Sequence, residues 1–308
     1  MGVYRVGEVI KRTREGLGIT QQELCEGICT VETLSRIENG RRSPNRANFQ
    51  ALMERMGKSG EKYMPFVHSG DMETIVEAMD INIAFARHQY EETERMLEKL
   101  RKKISLEDNV NRQFVEKTQA LIDYSLGRID AKEKRERLIK ALHYTVPNYK
   151  DGVLPVGIYS RHELMICCNI ACTYSDEGDE DTAIEMLRQV ENYFNTVHVS
   201  MDERAITETL MLSNLGQHLG IRGDTKEAIE IEERAIEMSM DAGICSILDG
   251  LLYDIGFEKE ILREDKLYCQ ELMLQAYFIA ELNGNKYLMN HIKKHIEKIY
   301  GDVVCSIR

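Results

Sequence analysis

Two stretches of this chain, NIACTYSDEGDEDTAIEMLRQV (Asn169–Val190) and NLGQHLGIRGDTKEAIEIEERA (Asn214–Ala235), align without a gap at a spacing of 45 residues. Each opens on Asn and places a small residue two positions on, Ala171 or Gly216. Each then turns at Gly-Asp (Gly178-Asp179, Gly223-Asp224) and resumes with Ala-Ile-Glu from Ala183 or Ala228. The surrounding apolar residues follow the helical period, so each copy is a helix, a tight turn and a second helix. Such a pair cannot bury its apolar face alone and must stack on a neighbour, which commits this region to a helical solenoid.

The small residue at the helix contact, the Gly turn and the Ala on the second helix resemble the tetratricopeptide pattern. The 45-residue period exceeds that repeat's usual ~34, so helices or links are longer here. Weaker copies flank the central two: Ile81–Leu100, Phe114–Leu142 with its turn at Gly127–Asp130, and Leu252–Leu282 with its turn near Glu264-Asp265. Asn285–Tyr300 reads as a single closing helix, which covers a solenoid's last apolar face. The expectation is an all-α chain in which residues 69–308 form about five helix pairs plus a C-terminal cap.

Residues 1–68 are of another kind. Thr20 followed by Glu23 is a capping box that starts a short helix at Gln21, with Leu24 and Ile28 turned to one side. Thr30 caps a second helix, Val31–Asn39, where Leu34 and Ile37 form the buried stripe and Val31, Glu32, Thr33 and Arg36 stay outside. Asn39-Gly40 stops it, since Gly accepts the left-handed conformation of a C-terminal cap. Arg41, Arg42 and Arg46 follow around Pro44. A short exposed polar helix beside the Gln21-Gln22 pair and three arginines suits a DNA major groove, where the helix reaches base edges and the arginines hold phosphates. Helix 1 is expected over Val6–Glu15 and a further helix over Ala47–Met56. A one-turn piece at Glu61–Val67 then leads to a domain boundary after His68.

At these residues Val6–Gly57 resembles the helix-turn-helix domain of the Xre/Cro/C1-repressor superfamily, with TQQEL opening helix 2 and TLSRIENG closing helix 3. The resemblance implies that Gln21 contacts phosphate. It also implies that Val31, Glu32 and Arg36 face bases or the nearby backbone; the residues themselves add Gln22, Thr30, Thr33, Arg41, Arg42 and Arg46 to the expected DNA-facing set. Arg14 and Glu38 match a structural ion pair. The link between the two helices, EGIC, is one residue shorter than in phage repressors and is similar to that of the PlcR-type, peptide-responsive regulators.

Charge supports the division. Of the formal −12, residues 1–68 carry 11 Lys+Arg against 8 Asp+Glu, and the other residues 29 against 44. The basic end suits a polyanion; the acidic remainder would be repelled by one. No run of 18 apolar residues is present, so no membrane span is expected. MGVYRVGEVIKR lacks the apolar core of a secretory signal, so the 8 Cys read as reduced thiols of a cytoplasmic protein. Cys167, Cys168 and Cys172 have no second pair at zinc-site spacing and read as core, as do Cys25 and Cys29. The run Asp176–Asp181 lacks the EF-hand alternation. No HExxH pair, phosphate loop or nucleophile elbow occurs. No cofactor, metal or catalytic group is therefore expected.

An Xre-type head on degenerate tetratricopeptide-like repeats resembles the PlcR-type (RRNPP) peptide-pheromone receptors of Gram-positive bacteria; EGIC, SRIE and L-x-x-A-L-x-x-T-x-P (Leu138–Pro147) look like that group. The resemblance implies a homodimeric transcription factor on a near-palindromic double-stranded operator, controlled by a short peptide. An extended peptide needs its N–H and C=O groups satisfied, and an Asn amide offers both donor and acceptor. Asn169 and Asn214, at equivalent repeat positions, are the expected backbone clamps. Lys117, Phe114, Gln217 and Tyr253 fall on groove-facing positions in the same register. Two alternatives stay open: an Xre repressor whose repeats bind a protein or only dimerise, and an enzyme or interaction module of the response-regulator phosphatase kind.

Overall fold

The computed structural model describes residues 6–42, 44–58, 72–196 and 201–301. Among them are fifteen helices and no strand, so the all-α expectation holds. The expected one-turn piece at 61–67 and the boundary after His68 lie outside the described residues.

The head consists of α1 (Val6–Gly16), α2 (Gln21–Cys25), α3 (Val31–Glu38) and α4 (Arg46–Arg55). Thr20 and Glu23 close a reciprocal capping box on α2, and Thr30 accepts the Thr33 amide at 3.1 Å to start α3. Leu24, Ile28, Leu34 and Ile37 are buried with Ile10, Phe49, Leu52 and Met53. Fully burying an aliphatic or aromatic side chain contributes about 1.5–3 kcal/mol, so this small core holds four short helices that would not persist alone. Arg14 on α1 grips Glu38 at the end of α3 with two bonds of 2.6 and 2.9 Å, the ion pair that the motif implies.

Ten helices follow as five antiparallel pairs: α5 (Met72–Ala86) with α6 (Tyr90–Arg101), α7 (Asn109–Ser125) with α8 (Ala131–Leu142), α9 (Arg161–Asp176) with α10 (Glu180–Thr196), α11 (Met201–Arg222) with α12 (Thr225–Asp241), and α13 (Leu248–Ile261) with α14 (Lys266–Leu282). α15 (Lys286–Tyr300) packs on α14 through Ile292 and Ile296. The main core runs continuously through the second, third and fourth pairs. Gly216 permits an unusual contact within it. A Cβ there would lie 2.4 Å from the Glu232 side chain, so the glycine that marks the helix contact in the sequence makes room for a carboxyl group of α12. Glu232 is fully buried, and neither carboxylate oxygen has a hydrogen-bond partner among the described residues.

The array is strongly curved. The His88 ring, at the turn between α5 and α6, stacks on the Tyr287 ring of α15 with centroids 4.3 Å apart and planes at 27°. The first pair thus touches the closing helix.

Candidate functional site

The exposed face of α3 is the first candidate. Val31, Glu32 and Arg36 project to solvent, as do Gln22, Thr30, Arg41 and Arg42. Arg36 is held by Glu32 one turn earlier at 2.6 Å, both side chains being more than half exposed. Two expected groups sit differently. Thr33 is half-buried and its hydroxyl accepts from Thr30 Oγ1 at 3.0 Å. Gln21 donates to Glu38 Oε2 at 2.7 Å, which leaves its second amide N–H for other partners. Arg46 opens α4; its side chain lies outside the described residues.

The head is docked on the repeats with this face left open. At the end of α4, Arg55 donates to Glu163 Oε1 at 2.7 Å and to the carbonyls of Leu24, Glu26 and Thr145. The two side chains are 3% and 1% exposed. Glu163 also receives the Ser160 amide at 2.6 Å, so one carboxylate both caps α9 and anchors the head. Beside it the Arg161 amide donates to Glu54 Oε2 at 3.0 Å, and His162 Nδ1 lies 3.7 Å from the same oxygen. Burial alone would raise the Glu54 carboxyl; His162 and Arg161 overcome it and hold the group below its ordinary value. Asn109 Nδ2 reaches the Gly27 carbonyl at 2.8 Å. Gly27 has φ +71, and a Cβ there would stand 2.0 Å from the Thr145 oxygen, so no other residue fits this turn without moving the two units apart.

Docking encloses a cavity of about 480 Å³. Its walls come from α4 of the head (Ala47, Gln50, Ala51) and from α5, α6, α7, α9 and α11 of the repeats, the last through Ile206. Two of the six expected peptide-contact residues line it: Phe114 and Lys117. The Lys117 ammonium lies 5.2 Å from the Phe114 ring centroid. Burial first, and Arg161 second, lower its pKa to about 8. Arg161 lines the same cavity, and among the described residues neither side chain makes an ion pair. A Lys117 ammonium that faces a mostly apolar cavity without an ion pair, beside Arg161, suits an anionic group on an otherwise apolar ligand.

The other four lie farther along. Asn169 stands one turn on from the wall residue Ile166, and its amide donates to the Met165 carbonyl of its own helix at 2.7 Å. Gln217 is exposed on the stripe of α11 that carries Ile206, with half-buried Asn214 one turn before it. Tyr253 points elsewhere. Its hydroxyl meets His291 Nε2 at 3.0 Å, and its ring packs on Phe257 and His295 at the α13–α15 junction. The six residues therefore do not line one cavity. Sequence reasoning missed Arg55, Arg161 and Glu163. A partner 108 residues away leaves no local signal.

Residues 10–62 match the helix-turn-helix family model, and residues 78–299 match that of the RNPP family C-terminal domain. No curated protein sequence matches the chain significantly. Among solved structures, it is similar to Bacillus thuringiensis PlcR in complex with the peptide PapR7 and DNA. The identity is 19%, over 94% of this chain and 99% of that one, with a TM-score of 0.65. PlcR in its apo form gives 19% identity over 94% and 98%, with a TM-score of 0.58. ComR from S. thermophilus in complex with DNA and its signalling peptide ComS gives 16% over 94% and 98%, with a TM-score of 0.51. At these identities the likeness is one of fold.

Proposed function

The chain belongs to the RNPP family, and from that premise we propose that it is a cytoplasmic transcription regulator, acting as a homodimer, whose affinity for duplex DNA is set by a short peptide. The observation that carries this reading is the shared wall of the cavity. A ligand that fills the cavity beside Phe114 and Lys117 meets walls from α4 of the head and from five helices of the repeat domain. Its binding energy then depends directly on how the head is seated, which is the differential affinity that any ligand-driven shift requires. PlcR and ComR, its likenesses in fold, were each solved with a peptide and DNA.

In this reading α3 enters the major groove. Arg36 exchanges Glu32 for a base edge or phosphate, Val31 and Glu32 face bases, and Arg41, Arg42 and Arg46 hold phosphates with Gln21, Gln22, Thr30 and Thr33. A dimer sets two such helices about 34 Å apart on a near-palindrome. The peptide places an anionic group on Lys117 and Arg161 and runs along the stripe of Asn169, Asn214 and Gln217. The Asn169 amide turns from Met165 to the peptide backbone. The test is thermal unfolding against peptide fractions of the host's spent medium, because a ligand specific to the folded form raises the midpoint with the logarithm of its concentration. A rise that Lys117→Met and Asn214→Ala abolish supports the reading. A rise that survives both places the ligand elsewhere, and no rise with any fraction removes the peptide from the proposal.

A further inference from the structure

We propose that Cys172, His218 and Glu180 form a base-activated thiol on the wall of the groove, a site that captures a small α,β-unsaturated carbonyl compound by covalent addition. The three side chains come from three helices. The Cys172 sulfur of α9 lies 3.4 Å from His218 Nε2 of α11, and His218 Nδ1 lies 3.1 Å from Glu180 Oε2 at the start of α10. Ser175 donates to the other Glu180 oxygen and fixes the carboxylate. Glu180 accepts at Nδ1, so that nitrogen carries the proton and Nε2 accepts from the thiol. A nucleophile within hydrogen-bond reach of a base, with the base oriented by a third group, is the arrangement that activates thiols and hydroxyls. Among the described residues no group of three His, Cys, Asp or Glu side chains is placed to hold a metal ion.

Access separates Cys172 from its neighbours. Cys167 and Cys168 are buried in the main core. Cys172 is half-buried, as are His162, Met165 and Asn169 on the same stripe of α9. It stands one turn beyond Asn169, and His218 stands one turn beyond Asn214. The other titratable groups that face the pair are Lys134 of α8, Tyr124 of α7 and Asp176 of α9. Lys134 donates to Asp176 at 3.0 Å, and its ammonium lies 3.8 Å from the Tyr124 ring centroid.

Burial pushes the Cys172 thiol up to about 11, with Lys134 acting the other way, and burial holds His218 below its ordinary value against the pull of Glu180. The resting site is a neutral thiol on a neutral imidazole, so attack and proton transfer go together. The sulfur bonds the β-carbon of the electrophile, the C=C π-bond opens, and the thiol proton passes to His218 Nε2. Glu180 stabilises the imidazolium. His218 then returns the proton to the α-carbon of the enolate. No group leaves, and no oxidant or reductant is needed. A disulfide is closed to this thiol, because residues four apart on a helix hold their Cβ atoms about 5–6 Å apart, beyond the roughly 3.8 Å that a bridge to Cys168 requires. The adduct stands beside Asn169, across the path drawn for the peptide. The thiol chemistry is independent of the reading of function above; its effect on the peptide rests on it.

The test treats the full-length protein with less than one equivalent of N-ethylmaleimide, beside N-acetylcysteine, at pH 6.5 and 8, and maps the adducts by mass. The Cys172 rate should change less than about twofold between the two, since neutral His218 is the base at both, whereas the free thiol slows roughly twentyfold as its thiolate disappears below a pKa of about 8.5. Glu180→Gln and His218→Gln should each cut the Cys172 rate at pH 6.5 at least about tenfold and give what remains the pH dependence of the free thiol. Glu180→Gln keeps the shape of the site and decides the matter should His218→Gln fail to fold. A Cys172 that stays free while exposed Cys245 reacts, or whose rate follows N-acetylcysteine in the unaltered protein, overturns the proposal. An adduct that leaves the peptide-induced rise in unfolding midpoint intact overturns its effect on the groove. No rise in the unreacted protein refutes the peptide reading and leaves the mass result to decide the thiol chemistry.

Discussion

The buried carboxyl of Glu232 makes the stability of the repeat domain depend on pH in a direction opposite to that of most acids. Burial first, then the neighbouring Asp254 and Glu258, push the group from 4.5 up to about 10. Glu258 is pushed to about 8 by burial and Asp254, and Asp254 to about 7 by burial. The folded protein therefore keeps a proton that the unfolded chain releases above about 4.5. Stability is fully present below that value and falls as pH rises toward 10. At pH 7.5, about three units above the unfolded value, keeping the proton costs about 4 kcal/mol at 1.36 kcal/mol per unit. Glu232→Gln removes the proton requirement and keeps the shape beside Gly216. Thermal unfolding of the two proteins, run from pH 5 to 9, should diverge. The midpoints nearly coincide at the acid end, and near pH 7.5 the variant unfolds about 10 °C higher, at roughly 2–4 °C per kcal/mol. The slope that remains in the variant belongs to Glu258 and Asp254. Parallel midpoint curves, or a wild-type protein that gains stability between pH 5 and 9, would refute the reasoning.

Other expected outcomes concern the head and the cavity. Arg55→Met leaves Glu163 buried without its cation; denaturant unfolding should show a loss of about 3–5 kcal/mol. Arg36→Ala should weaken operator binding by about 1–3 kcal/mol in fluorescence anisotropy; if base preference also relaxes, Arg36 reads bases, and unchanged affinity removes it from the interface. Lys117→Met should raise the dissociation constant of an active peptide fraction at least about tenfold by calorimetry, since the anionic group loses its charge partner while the packing on Phe114 is kept.

Much of this architecture is legible from local rules. Thr20, Glu23 and Thr30 start their helices because a side-chain oxygen three residues from an orphan amide is a local arrangement. Leu34 and Ile37 are buried because their spacing leaves no other face for the core. The Gly-Asp turns set the helix pairs for the same reason. What could not be read are contacts between units. Gln21 spends one N–H on Glu38, seventeen residues away. Tyr253 sits on a stripe that the register alone assigns to the groove, yet α15 supplies His291 and His295 as nearer partners. The cavity owes its closed side to Arg55 and Glu163, whose pairing depends on the curvature of everything between them. Periodicity specifies which face of a helix is covered, and only the packed chain specifies what covers it.

The stack of His88 on Tyr287 alters the mechanics of the array. A row of repeats that touch only their neighbours behaves as an open spring, and a disturbance at one end must travel through every coil to reach the other. With its first turn resting on its last helix, this one is a hoop. Its pitch is set by a fixed circumference, and a strain at either side of the meeting point is shared around both arcs.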